Sequence, residues 1–210
     1  DGQPLRGPRA AERQREGLLS DAGGRAAPER DAEAAASAPA LVNGGFEQDG
    51  QMLVLPSKGG RSGLAGWVWA TSAVGDTVRV LNSSMPYWGS DGARGDFFCA
   101  LQANRDVPAP SPRISQRVPG HRAGEAYTLR LLVAKRPGFP DPWLRVLAGG
   151  DELVSLESVG ESFTELSLPY LARSPVVELV VENAAVEGQD CMLYVDDVRI
   201  TVGAAGRVPQ

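Results

Sequence analysis

The chain has 210 residues, enough for one domain or a domain with an extension. With 21 basic and 26 acidic residues its formal net charge is −5, so it offers no basic field of the kind that recruits nucleic acid. No apolar run approaches the roughly 18 residues that span a bilayer, and a single histidine, His121, leaves little on which to build acid–base or nucleophilic chemistry.

Residues 1–40 differ in kind from the rest. They hold eleven Ala and six Arg but no aromatic residue, Val, Ile or Thr. Such a segment buries too little apolar surface to offset the entropy of ordering it. Arg9 to Leu19 and Pro28 to Ser37 have helical propensity, the second with Pro suited to a first turn. Alone these helices are marginal. The expectation is a partly helical arm that docks on protein partners in a larger assembly. The chain opens on Asp1 without a signal-peptide-like segment. That reads as a chain from which a targeting segment has been removed, working in an extracytoplasmic space or an organellar lumen.

From Leu41 the texture becomes all-β, with short apolar runs between clusters of Gly, Pro, Asn, Asp and Ser. Strands are expected at Val78–Leu81, Phe97–Gln102, Ile114–Val118, Tyr127–Ala134, Leu144–Leu147, Phe163–Leu168, Val176–Glu182 and Met192–Thr201. Tyr127, Leu129, Leu131 and Val133 alternate with other residues along one strand, and Val177, Leu179 and Val181 oppose Glu178 and Glu182 on another. This is half-buried antiparallel patterning, with one wet face per sheet. Without βα alternation it indicates a two-sheet jelly-roll β-sandwich over residues 41–202, followed by a tail at 203–210.

The last strand carries an irregularity. In Leu193-Tyr194-Val195-Asp196-Asp197-Val198-Arg199-Ile200 the apolar positions change phase across the two aspartates. A period-2 strand does this only by bulging. Two carboxylates at such a break need partners, and the candidate partner is Asn43-Gly44-Gly45-Phe46-Glu47 at the start of the domain.

Several segments in order carry a resemblance: Leu41 to Glu47, Ala65-Gly66-Trp67, Ile114 to Val118, then Gly124, Tyr127, Thr128 and Leu129, and finally Leu193 to Ile200. Together they resemble the galactose-binding-like jelly rolls of carbohydrate-binding modules, above all a plant cell-wall family of unknown function and its bacterial choice-of-anchor relatives. The resemblance implies first and last strands that lie together, a core position for Trp67 and, in general, no catalysis. It also implies a structural calcium ion held by Glu47 and Asp197, with backbone carbonyls completing a shell of six to eight oxygens. The alternative is that Asp196 and Asp197 cap a bulge or pair with arginines such as Arg199.

Candidate ligand contacts are aromatic. Tyr87 and Trp88 lie in a Gly/Pro-rich loop, and Trp143 follows Pro140-Asp141-Pro142. Each suits a sugar platform or a protein hot spot. Asn82, Asp91, Arg94 and Gln102 are the polar groups considered beside them, and Asn82-Ser83-Ser84 matches a glycosylation sequon. Cys99 and Cys191 fall in strand-like runs, where they read either as buried thiols or as a disulfide in an oxidising compartment. His121, in Pro119-Gly120-His121-Arg122, reads as a solvent-exposed turn residue, and no nucleophile elbow or phosphate loop is present. The chain is therefore expected to be no enzyme. Two readings remain: an extrinsic accessory subunit docking through residues 1–40, or a secreted or wall-associated module that binds glycan.

Overall fold

A computed structural model describes residues 38–55, 63–71, 76–85, 91–104, 111–185 and 190–203. The expected docking arm up to residue 37, Tyr87 and Trp88, and the tail from residue 204 lie outside the described residues. The strands are β1 (Leu53–Leu55), β2 (Val68–Ala70), β3 (Thr77–Asn82), β4 (Phe97–Asn104), β5 (Arg113–Pro119), β6 (Ala126–Lys135), β7 (Leu144–Ala148), β8 (Asp151–Leu156), β9 (Thr164–Leu171), β10 (Val176–Asn183) and β11 (Asp190–Val202). All pair antiparallel, in a six-stranded sheet ordered β1-β3-β4-β11-β6-β9 and a five-stranded sheet ordered β2-β5-β10-β7-β8. This is the all-β, two-sheet jelly-roll sandwich expected from the patterning.

The alternation does what period-2 geometry requires. Leu129, Leu131 and Val133 of β6 and Leu179 and Val181 of β10 meet in one apolar core between the sheets. Each such side chain contributes about 1.5–3 kcal/mol on burial. The six-stranded sheet departs from the expectation of one wet face. On its outer side Phe98, Ala100, Ala134, Met192 and Tyr194 form a second buried cluster, with Ala93 and Phe163 packed on it. Strands β4 and β11 are consequently buried on both faces over most of their length.

The register rules out a bond between the cysteines. Val195 of β11 lies opposite Cys99, while Cys191 lies opposite Ala103. Four residues along a strand is about 13 Å, beyond the roughly 7 Å between Cα atoms that a disulfide can span. Both are buried thiols outside any disulfide, and burial pushes the Cys99 thiol up.

His121 also departs from expectation. It is buried rather than exposed, its ring edge-on to Tyr127 at 4.8 Å. A carbonyl can only accept, so Nδ1 donates to Val118 O (3.1 Å), and Nε2 accepts from the Tyr170 hydroxyl (2.7 Å). Burial lowers the histidine's pKa. The turn residue is a core polar group.

Candidate functional site

The first polar site closes the sandwich. The pairing of β11 with β6 slips between Asp196 and Arg199, and Asp197 adopts a left-handed φ of 45°. This bulge returns Val198 and Ile200 to the core that already holds Leu193 and Val195. Val198 N–H donates to Gly44 O at 2.9 Å. The approach is so close that a Cβ on Gly44 would lie 1.9 Å from Val198 O. Asn43, also at positive φ, donates to Asp49 Oδ2 and Ala65 O and accepts from Gln48 N–H. Its own carbonyl accepts from the buried Trp67 indole at 3.0 Å. Gln116 of β5 replaces a missing strand partner: it accepts from Val42 N–H and donates to Val42 O and Gly66 O. Sequence reading did not single out Asn43's side chain, Asp49 or Gln116, because their role depends on segments far apart in the chain.

The aspartates divide in function. Asp196 is fully buried and accepts from the backbone N–H groups of Arg94 (2.7 Å) and Asp197 (2.6 Å). Burial pushes its pKa up to about 6 against those hydrogen bonds, with Asp197 and Glu47 adding to the rise. Asp197 turns to solvent and pairs with Arg94 and Arg199, while Glu165 pairs with Arg94, Arg130 and Arg199. Glu47 accepts from Asp96 and Phe97 N–H at 2.9 and 3.0 Å, in space left by Gly95. Of the pair expected to hold calcium, Glu47 thus accepts backbone N–H bonds and Asp197 pairs with guanidinium groups. Among the described residues no group of three or more His, Cys, Asp or Glu is gathered around one point.

The second polar site lies on the outer face of the six-stranded sheet, at the other end of the buried aromatic cluster. Arg79 of β3 and Tyr194 of β11 both lie opposite Ala100 of β4, and Tyr194 lies opposite Ala134 of β6. Both of the phenol's cross-strand neighbours are thus alanines. One row further, Arg79 Nε donates to Thr77 Oγ1 (2.9 Å), Thr77 donates to Gln102 Oε1 (3.2 Å), and Gln102 Nε2 donates to Asp190 Oδ1 (2.8 Å). Arg136 reaches Asp190 Oδ2 at 3.5 Å and stacks on Phe139, 3.2 Å above its ring centroid. Tyr194 packs on Phe98 at 4.8 Å and Phe163 at 6.3 Å, but its buried hydroxyl has no hydrogen-bond partner. Burial pushes this phenol up to about 12, and the nearby Arg136 and Arg79 only partly offset the rise.

The remaining expected residues fall elsewhere. Trp143 is half-buried against Ala103, Ala185 and Cys191, and its indole N–H is donated to Ser155 Oγ at 2.7 Å. Of the polar groups considered, Gln102 stands in the outer row and Arg94 in the ion-pair cluster. Asn82 caps its own turn by accepting from Ser84 N–H, and Asp91 is exposed with its carbonyl accepting from Phe163. A shallow depression of about 170 Å³ at one end of the sandwich is crossed by the Asp151–Arg173 ion pair at 2.9 Å. No described helix is long and apolar enough to cross a membrane.

No family model matches the chain, and no curated protein matches it by sequence. Among solved structures it is similar to a cyclase from Fischerella sp. TAU in complex with 4-(1H-indol-3-yl)butan-2-one, at 16% identity over 81% of this chain and 99% of that one, with a TM-score of 0.60. It is also similar to the enzymatically active domain of bacteriophage CBA120 tailspike protein 4, at 12% identity over 78% of this chain and 21% of that one, TM-score 0.53. The carbohydrate-binding module TmCBM61, in complex with beta-1,4-galactotriose, covers 79% of this chain and 99% of its own at 14% identity and TM-score 0.44. Likeness at these identities speaks for the fold alone. Function lives in sites grafted onto folds, so it has to be read from the residues.

Proposed function

We propose that this domain is a non-catalytic carbohydrate-binding module that contacts its ligand on the outer face of the six-stranded sheet. The observation that supports it is the linked polar row Thr77, Arg79, Gln102, Asp190 and Arg136, held side by side by strand register and lying next to aromatic rings. Sugar sites combine a few convergent hydrogen-bonding groups with aromatic surface. Groups already joined to one another lose little freedom when a ligand arrives. The docking-arm reading rests on residues 1–40, of which the structure describes only the last three, so the glycan reading takes precedence.

The test is a glycan array with the full 210-residue chain, followed by titration of each hit. Binding that falls about tenfold in Gln102→Ala supports the outer face, since a lost hydrogen bond in a sugar site costs on that order. Binding lost only in Trp88→Ala moves the site to that loop, and no binding across the array overturns the reading. The proposal includes an extracytoplasmic location, to be checked by fractionation of the native source. Calcium enters it in one form: a cation held by the carboxylates of Glu47 and Asp197, with backbone carbonyls as further oxygens. It would brace the clasp and take no part in sugar contact.

A further inference from the structure

His121 is the only histidine in the chain, and it is buried where β5 turns into β6. A neutral imidazole has one donor and one acceptor, and both are in use. Nδ1 donates to Val118 O at 3.1 Å, and Nε2 accepts from the Tyr170 hydroxyl at 2.7 Å. Burial pushes the Tyr170 phenol up, so it remains a donor at neutral pH. An imidazolium carries two donors and no acceptor. A proton taken up at Nε2 therefore sets hydrogen against hydrogen across that contact, and the Tyr170 hydroxyl has to turn its own away.

Among the described residues no carboxylate pairs with this ring. On the elements packed around it the titratable groups are Tyr127 of β6, Tyr170 of β9, Arg122 and Glu125 of its own loop, and Arg173 of the facing turn. Glu125 pairs with Arg122 at 3.4 Å and accepts from Tyr127 at 3.3 Å, while Arg173 pairs with Asp151. A buried charge without a partner is costly. That cost falls on a short zipper of backbone bonds outside the strands. His121 N–H donates to Pro175 O at 3.2 Å, Gly124 N–H to Ala172 O at 2.8 Å and Ala172 N–H to Glu125 O at 3.0 Å. These three bonds join the loop 120–125 to the turn 172–175. The same turn walls the shallow depression with Arg173 and Ser174. The loop also carries Gly120, against which Pro39 is buried: a Cβ there would lie 3.6 Å from Pro39 Cα.

We infer that His121 is an acid-operated latch: protonation of its ring releases the loop 120–125 from the turn 172–175 while the two sheets stay folded. This is independent of the glycan reading. A histidine near its ordinary pKa titrates within the physiological range, and a segment held by a few bonds opens more easily than the core beneath it. The open loop holds a histidine of ordinary pKa, 6.5, whereas burial keeps the closed one lower, so the open form binds the proton better. Closure is at full strength above pH 6.5. It weakens as pH falls below that value and levels off once the closed form is protonated too. Opening frees one wall of the depression, with its Arg173–Asp151 pair, and the support beneath Pro39.

NMR on the full 210-residue chain tests the latch, by imidazole titration and amide hydrogen exchange, and the single histidine gives one unambiguous ring signal. The ring midpoint is expected below 6.5. As pH falls from there, the opening constants at the His121, Gly124 and Ala172 amides should rise together, by up to about tenfold per pH unit. At every pH they should exceed those of β4, an interior strand of its sheet. His121→Gln takes up no proton, so its three profiles should be flat. Tyr170→Phe keeps the aromatic ring but removes the hydroxyl that the neutral imidazole accepts from. There the ring midpoint should move up towards 6.5 and the pH effect shrink, which decides the matter even if His121→Gln does not fold. A midpoint at or above 6.5 in the parent, flat parent profiles, or profiles unchanged in either variant overturn the inference. So do amides that open only together with β4, since that end of the sandwich then unfolds with the whole.

Discussion

Tyr194 and Asp196 sit two residues apart on β11, and they solve the same problem in opposite ways. Both are polar groups fully buried on the outer side of the six-stranded sheet. Asp196 is an acceptor supplied with donors: two backbone N–H groups reach it, and the bulge that follows exists where the chain meets Gly44. Tyr194 carries a hydroxyl with no hydrogen-bond partner. The first arrangement is complete without a ligand and belongs to the fold. The second leaves its hydroxyl unmatched. Net contributions of hydrogen bonds are small, while an unmatched buried group costs about 1–3 kcal/mol, so the two residues differ in satisfaction rather than in polarity.

The contrast is most strongly tested at the clasp. Gly44→Ala would press a Cβ to within 1.9 Å of the Val198 carbonyl. It is expected to lower unfolding free energy by about 3 kcal/mol, at the upper end of overpacking costs, as read by urea denaturation. A loss below about 0.5 kcal/mol, the range of ordinary surface changes, would mean that the two segments do not depend on each other.

Next comes pH. The pKa of Asp196 is raised from 3.8 to about 6 in the folded chain. Its contribution to stability is therefore fully present below about pH 3.8 and lost as pH rises through 6. Asp196→Asn removes that loss, so the variant's stability relative to the parent should climb by about 3 kcal/mol between pH 3.5 and 7 and then level off. His121 works in the other direction. Its lowered pKa gives stability that is present above the ordinary value of 6.5 and declines as pH falls below it. Denaturation at several pH values separates the two, and a flat difference curve for Asp196→Asn would remove the aspartate from its assigned place.

A smaller effect is expected at Glu47, whose carboxylate is exposed although it accepts two N–H bonds. Glu47→Ala should cost about 1 kcal/mol, equally in calcium and in chelator if those bonds are its whole role. A melting-temperature drop confined to calcium buffer would assign a cation to the clasp. Smallest, and opposite in sign, is Tyr194→Phe in the absence of ligand. Deleting an unmatched hydroxyl should leave stability unchanged or raise it by about 1 kcal/mol. A clear loss would show that the phenol already has a partner and dissolve the contrast between the two sites.

The strand pattern was legible in the chain wherever strands are interior. Each of the eight expected strands is present, and the three that were not expected, β1, β2 and β8, are edges of their sheets. An edge strand buries less and pairs on one side only, so the alternation that marks a strand fades: Asp151–Leu156 has no fully buried position. The phase change at Asp196-Asp197 was likewise local information, because a bulge is the way a period-2 strand can shift its apolar side. That the clasp used Asp196 inward and Asp197 outward was not local. It followed from the left-handed turn at Asp197 and from Arg94, about 100 positions away, whose backbone N–H takes one carboxylate while its guanidinium takes the other. His121 followed the same rule: a turn-like neighbourhood in sequence, but a cover of Tyr127 and Tyr170 supplied from other strands.

Local spacing thus settles which residues alternate, where the alternation breaks and which fold class results, because those depend on backbone geometry over a few residues. Register settles the rest. It sets Cys99 and Cys191 four positions apart across neighbouring strands, and it puts Arg79 and Tyr194 on either side of one alanine. Whether a buried polar group is matched depends on partners brought in from distant segments, and tertiary packing alone decides that.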